Sequence, residues 1–197
     1  MDYISDNEIK EIVQRVMQQM GVTNTQSVSE VLQSNVSKMV SNNPEKRVVA
    51  IGADHGGFEM KTALIAFLQE LKYEVVDCGT HGKEAVDYPD FALAVAELVR
   101  RGKVWRGIMI DGAGIGSCMV ANKVPGVRAA MAYDYASASN SREHNNANYL
   151  TLGAGLIGLN QAKLIVKTWL QTEFGGGRHQ PRVDKITAVE KQYLKEG

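Results

Sequence analysis

The stretch Arg106-Gly-Ile-Met-Ile-Asp-Gly-Ala-Gly-Ile-Gly-Ser-Cys-Met-Val-Ala-Asn-Lys-Val-Pro-Gly-Val-Arg128 decides how the rest of the chain is read. Ile108 to Ile110 is an apolar run of strand length, and the carboxylate Asp111 ends it. Gly112, Gly114 and Gly116 follow, with Ala113 and Ile115 between them, and then a segment of helical apolar period. Strand, glycine turn and helix build an anion pocket in an α/β sheet. Glycines let backbone N–H groups turn toward a ligand, and a helix N-terminus adds positive partial charge. A tight strand-to-helix turn without a ligand is the plainer alternative.

On either side of this stretch the same grammar repeats. Upstream, Val48 to Ile51 leads into Gly52-Ala53-Asp54-His55-Gly56-Gly57, and Phe58 to Leu71 has helical period. Tyr73 to Val76 reads as a strand closed by Asp77-Cys78-Gly79, and Asp87-Tyr88-Pro89 opens a helix running to about Arg101. Downstream come a strand over 127–133, a helix over 137–145, a strand over 149–152, a helix over 162–172 and a terminal helix over 183–193. Alternating strands and helices imply an α/β fold, a parallel sheet wrapped by helices on both faces.

The chain has 197 residues, enough for one domain with a real core and an appendage. Acidic and basic residues balance at 22 each, which argues against nucleic acid as a main partner. No apolar run approaches membrane-spanning length, so no membrane partner is expected. Cys78 and Cys118 lie far apart with no metal spacing, and the N-terminus lacks a secretion layout. A reduced cytoplasmic compartment is the simplest expectation.

Residues 1–21 form a unit of their own. Ser5 and Glu8 make a capping-box pattern, and Ile9, Ile12, Val13, Val16, Met17 and Met20 recur at helical spacing before Gly21. Residues 22–46, rich in Ser, Asn, Thr and Gln, read as a polar linker, and residues 47–197 as the compact domain. The amphipathic helix either packs on its own domain or docks its stripe into a partner's groove. The second layout resembles the encapsulation peptides that carry enzymes into bacterial microcompartments. That resemblance implies a shell protein as partner and a microcompartment as the location.

In sheets of this kind ligands sit beyond the carboxyl ends of the strands. Asp54, His55 and the run from Asp111 to Gly116 occupy such ends, while Tyr88, His144 and Asn145 stand on loops and helix ends. Taken singly each has a dull reading: Asp54 a helix cap, His55 a surface histidine, Tyr88 packing beside Pro89, Asn145 a helix stop, His144 a favourable charge at a helix end. Together with a glycine nest they suggest an acid–base site. Gly175-Gly-Gly-Arg178-His179-Gln-Pro-Arg182 adds two arginines and a histidine after a flexible run, which is either a basic surface loop or a set suited to a phosphate.

Gly52 to Phe58, Asp87-Tyr88-Pro89, Ala121 to Arg128, Ser141 to Asn145 and Gly177-Arg178-His179 with Arg182-Val183 resemble ribose-5-phosphate isomerase B, whose family includes galactose-6-phosphate isomerase subunits. The resemblance spans residues 47 to about 190 and excludes 1–46. It implies a Rossmann-like three-layer α/β/α sandwich and a homodimer, with pairing into tetramers left open. The sites would lie at the subunit interface, with no metal and no cofactor. The activity implied is interconversion of an aldose phosphate and a ketose phosphate through an enediolate.

Carried over, His144 opens the sugar ring with help from Asp54. His55, Arg178, His179 and Arg182 hold the phosphate, some of them from the second subunit. Tyr88 and Asn145 line the pocket, and the backbone of Gly112, Ala113, Gly114, Ile115 and Gly116 stabilises the enediolate. The base is where the chain departs from the family: one branch has a cysteine at Asp111, the other a glutamate at Ser117. Asp111 is then the expected base. A hydroxyl residue common in the family is Ala113 here, and an arginine that often helps bind phosphate is Gly155. A non-catalytic sugar-phosphate-binding or cargo protein that has lost the base is the alternative.

Overall fold

The computed structural model describes residues 47–193. The amphipathic segment 1–21 and the whole of the linker 22–46 lie outside the described residues. Five strands alternate with helices: β1 (Val48–Ala53), α1 (Phe58–Glu70), β2 (Glu74–Asp77), α2 (Tyr88–Arg100), β3 (Arg106–Asp111), α3 (Ile115–Ala121), β4 (Ala129–Met131), α4 (Tyr135–Glu143), β5 (Tyr149–Gly153) and α5 (Leu159–Gln171). A 3₁₀ turn, Gly177–His179, leads into α6 (Gln180–Tyr193). All strand pairs are parallel, in the order β2-β1-β3-β5-β4.

The near-continuous apolar runs of β1, β3 and β5 follow from this placement, because central parallel strands are covered on both faces. On one face Ile51, Ile108, Ile110, Leu150 and Leu152 pack with Leu64 and Leu68 of α1 and with Ile165, Val166 and Trp169 of α5. On the other, Ala50, Met109 and Tyr149 pack with Val95 and Val99 of α2 and Ala121 of α3. The result is the three-layer Rossmann-like α/β/α sandwich. No helix among the described residues is long and apolar enough to cross a membrane.

Several boundaries differ from the sequence expectation, for local reasons. Strand β4 is shorter than 127–133. The Val127 N–H is taken by Val124 O in a turn, and the Arg128 N–H by Asn148 Oδ1. Helix α4 starts two residues earlier than 137, because Asp134 and Ser137 form a reciprocal capping box. Helix α5 starts at Leu159, a turn before Ala162, since Gly158 caps it and its carbonyl accepts from Ala162 N.

Three buried cations sit in the frame. Lys61, 1 % exposed, donates to both oxygens of Asp77 at 2.5 and 2.7 Å and ties α1 to the end of β2. Arg106 donates to Trp169 O at 2.5 Å and Thr172 O at 3.4 Å, and Arg142 donates to Thr172 O at 3.3 Å. These two arginines satisfy the last carbonyls of α5, where cations also complement the helix dipole. Burial pulls Arg106 down to about 9 and Arg142 to about 10, so both remain cationic at neutral pH.

Candidate active site

From β1 the chain moves outward to β2 and then returns to the other side of β1 as β3. A crevice therefore opens at the carboxyl ends of β1 and β3, where such sheets bind ligands. Ala53 pairs with Ile110, and Asp54 N donates to Ile110 O at 3.2 Å. Asp54 and Asp111 consequently end neighbouring strands, whose spacing in a sheet is about 4.8 Å.

The two carboxylates are held differently. Asp54 Oδ1 accepts from Gly57 N at 2.9 Å, within the turn before α1, so Asp54 does not cap that helix, whose N-cap is Gly57. Only glycine fits at 57, because a Cβ there would lie 2.4 Å from Ile110 O. Asp111 is 3 % exposed and accepts four hydrogen bonds. Its Oδ1 takes the N–H groups of Ala113, at 2.8 Å, and Gly114. Its Oδ2 takes Ser117 N at 3.2 Å and Ser117 Oγ at 2.5 Å. Two amides of the turn and one of α3 are thus spent on the chain's own carboxylate.

Around this pair stand the other residues of the crevice. His55 Nδ1 lies 3.2 Å from Val86 N and 3.3 Å from Val86 O, which ties the ring to the backbone at that residue. Tyr88 lies against Gly116: a Cβ there would be 2.4 Å from its Cζ. Tyr133 reaches Ala113 O with its hydroxyl at 3.4 Å. Gly155 N donates to Gly112 O at 3.0 Å, so the position without the arginine borders the nest through its backbone. Burial pushes Cys78 up to about 12 and also raises Cys118, so both stay thiols.

A second group forms an open cleft of about 420 Å³ lined by Asn140, His144, Asn145, Arg178, His179 and Arg182. Gly175 N donates to Glu143 O at 2.9 Å and brings the glycine run against the end of α4. Gly176 and Gly177 then take φ of +55° and +49°, a turn that glycine makes at little cost. His179 is thereby laid on His144, with ring centroids 4.1 Å apart and planes 10° from parallel. Arg178 Nε donates to His179 Nε2 at 3.4 Å. Desolvation first, and then His144 and the two arginines, hold His179 below its ordinary value of 6.5.

Asn140 was not among the residues singled out from the sequence. Its Nδ2 donates to His144 Nδ1 at 2.8 Å, so neutral His144 presents Nε2–H. The signal was the four-residue spacing on α4, which puts both side chains on one helix face. In the sequence Ser117 reads only as a position without a carboxylate. The cleft brings together His144, Asn145, Arg178, His179 and Arg182, and its lining does not include Asp54, His55, Tyr88 or Asp111.

An open parallel α/β sheet with carboxylates at its switch point, together with a separate basic cleft, defines the class. Within that class the chain belongs to the ribose/galactose isomerase family, whose model matches residues 49–186. It is 45 % identical to ribose-5-phosphate isomerase B of Escherichia coli, over 73 % of this chain and 97 % of that protein. It is 42 % identical to D-erythrulose-4-phosphate isomerase of Pectobacterium atrosepticum, over 73 % of this chain and 95 % of that protein. The solved structure of Clostridium thermocellum ribose-5-phosphate isomerase B superposes with a TM-score of 0.73 at 53 % identity, covering 74 % of this chain and 99 % of that one.

Proposed function

We propose that the chain is an aldose–ketose isomerase acting on a phosphorylated sugar, ribose 5-phosphate with ribulose 5-phosphate or a related pair, through an enediolate. Family membership supports the class of reaction. The observation that carries it to this chain is the cleft, which sets two exposed arginines beside a stacked histidine pair. Arg178 and Arg182 offer planar forks to the phosphate, with the rings of His179 and His55 as further partners. His144, its Nδ1 held by Asn140, supplies a proton to the ring oxygen as the sugar opens, with Asp54 assisting. Tyr88 and Asn145 border the sugar, and the backbone of Gly112–Gly116 borders the reacting carbons. One of the two carboxylates at the crevice, Asp54 or Asp111, carries hydrogen between C1 and C2.

The working unit in this reading is a homodimer. The crevice and the basic cleft are separate within one chain, and a partner's cleft facing the crevice would complete the site. Exposed apolar residues support a mate: Ile115 and Met119 on α3, and Ile186, Val189 and Tyr193 on α6, which buries only Val183. An isomerase assay over pentose, tetrose and hexose phosphates tests the function. Turnover of none of them, with a sugar phosphate still bound, would favour a non-catalytic binding protein, a reading that the occupied carboxylate of Asp111 supports. For residues 1–21, which precede the family match, docking on a microcompartment shell is proposed on the strength of their apolar stripe.

A further inference from the structure

The hydrogen-bond count around the two crevice carboxylates distinguishes them. A carboxylate has about four lone-pair sites, and a base must aim one of them at the hydrogen that it takes. At Asp111 two donors stand at each oxygen, two from the turn that follows it and two from Ser117 in the first turn of α3. A proton arriving there would have to displace an N–H or the Ser117 hydroxyl and would then face the remaining donors. Asp111 acts as a clamp: it fills the hollow of the glycine turn and fixes its shape.

Asp54 is built the other way. One oxygen accepts a single N–H, from Gly57, and Oδ2 has no hydrogen-bond partner among the described residues. Nor is Oδ2 among the buried polar atoms left without a partner, so it touches solvent. The strand register sets it beside Asp111, at the same crevice. Other groups fit the task less well. His144, with Asn140 on Nδ1, presents a hydrogen rather than a lone pair. Cys118 is a thiol whose Sγ lies 3.6 Å from Ala129 O.

We propose that Asp54, through Oδ2, is the base that moves hydrogen between C1 and C2, and that Asp111 is the positioning residue that shapes the turn beside it. From the aldose, Oδ2 takes the hydrogen on C2 as a proton. The C–H electron pair forms the C1=C2 bond, and the carbonyl pair moves onto O1, giving the enediolate. The hydroxyl proton then passes from O2 to O1, the C2=O bond forms, and the C1=C2 pair takes the proton from Asp54 onto C1. This inference rests on the isomerase reading and deepens it.

The test separates this role from ring opening. Ribulose 5-phosphate and erythrulose 4-phosphate have their terminal oxygen phosphorylated, so neither forms the furanose or pyranose ring that would need opening. In heavy water, wild-type protein exchanges a C1 hydrogen of at least one of them, read by proton NMR. Asp54→Asn, whose Oδ1 can still accept from Gly57, is expected to lose that exchange by at least about a hundredfold while melting near the wild type. Should the asparagine variant not fold, Asp54→Ser keeps an acceptor for Gly57 and gives the same readout. Exchange within a few-fold of wild type in the folded variant overturns the assignment and leaves Asp54 with ring opening alone. Absence of exchange in the wild type on both ketoses would sink the isomerase reading itself and this inference with it.

Discussion

Ser117 sits at 0 % exposure with its hydroxyl on Asp111 Oδ2 and its own N–H on the same oxygen. Removing the hydroxyl leaves a buried carboxylate oxygen one donor short. A hydrogen bond to a charged group contributes about 1.5–3 kcal/mol, so Ser117→Ala should lose stability of that order in urea unfolding. His179 makes a prediction with a sign. Its proton is held less tightly in the folded chain than at the ordinary value of 6.5. As pH falls through that value the unfolded chain takes the proton first, so this contribution to stability is lost on acidification and is full above about pH 6.5. His179→Phe keeps a ring on His144 and should flatten the stability profile below about pH 6.5, measured by denaturant titration. The same two residues show what a sequence hides. Strand-end carboxylates are visible as punctuation after apolar runs, but the saturation of Asp111 depends on a donor six positions on, and no period announces it. The histidine stack depends on a backbone bond from Gly175 to Glu143, which side-chain pattern does not encode.

At the scale of elements, the turn after β1 lies directly on the last peptide of β3. A methyl group at position 57 would meet Ile110 O at 2.4 Å and Ile110 Cγ2 at 2.8 Å, and both belong to a strand that cannot retreat. Gly57→Ala should cost about 1–3 kcal/mol, seen as a lower melting temperature, and should also part the two strand ends that carry Asp54 and Asp111. Strands and helices were legible because parallel sheets buried on both faces write apolar runs of their own length. Their ends were less so. Capping by Asp134 and Gly158 moves α4 and α5 toward the N-terminus, since a cap acts before the apolar period begins. Arg106 reads as the polar start of a strand, whereas it is buried and caps the far end of α5, a contact 63 residues away.

The whole molecule leaves apolar surface where the proposed partner would sit. Met119 is 63 % exposed on α3, two residues after Ser117. A carboxylate there would be buried without a counter-charge in a dimer. Met119→Asp should therefore shift the mass in light scattering from dimer to monomer and lower isomerase turnover with it, while the isolated chain keeps its melting transition. Deleting residues 1–21 should leave mass and turnover unchanged and remove co-sedimentation with shell protein; loss of folding on truncation would favour a helix packed on its own domain. The self-filled hollow of the glycine turn has an outcome for the intact protein in the presence of simple salts. Ser117 and the amides of Ala113 and Gly114 are already engaged by a tethered anion at effectively saturating local concentration. Free sulfate, bicarbonate or chloride would have to displace Asp111 to bind there, so in the proposed isomerase inhibition by simple salts should be competitive with the phosphoryl end of the sugar.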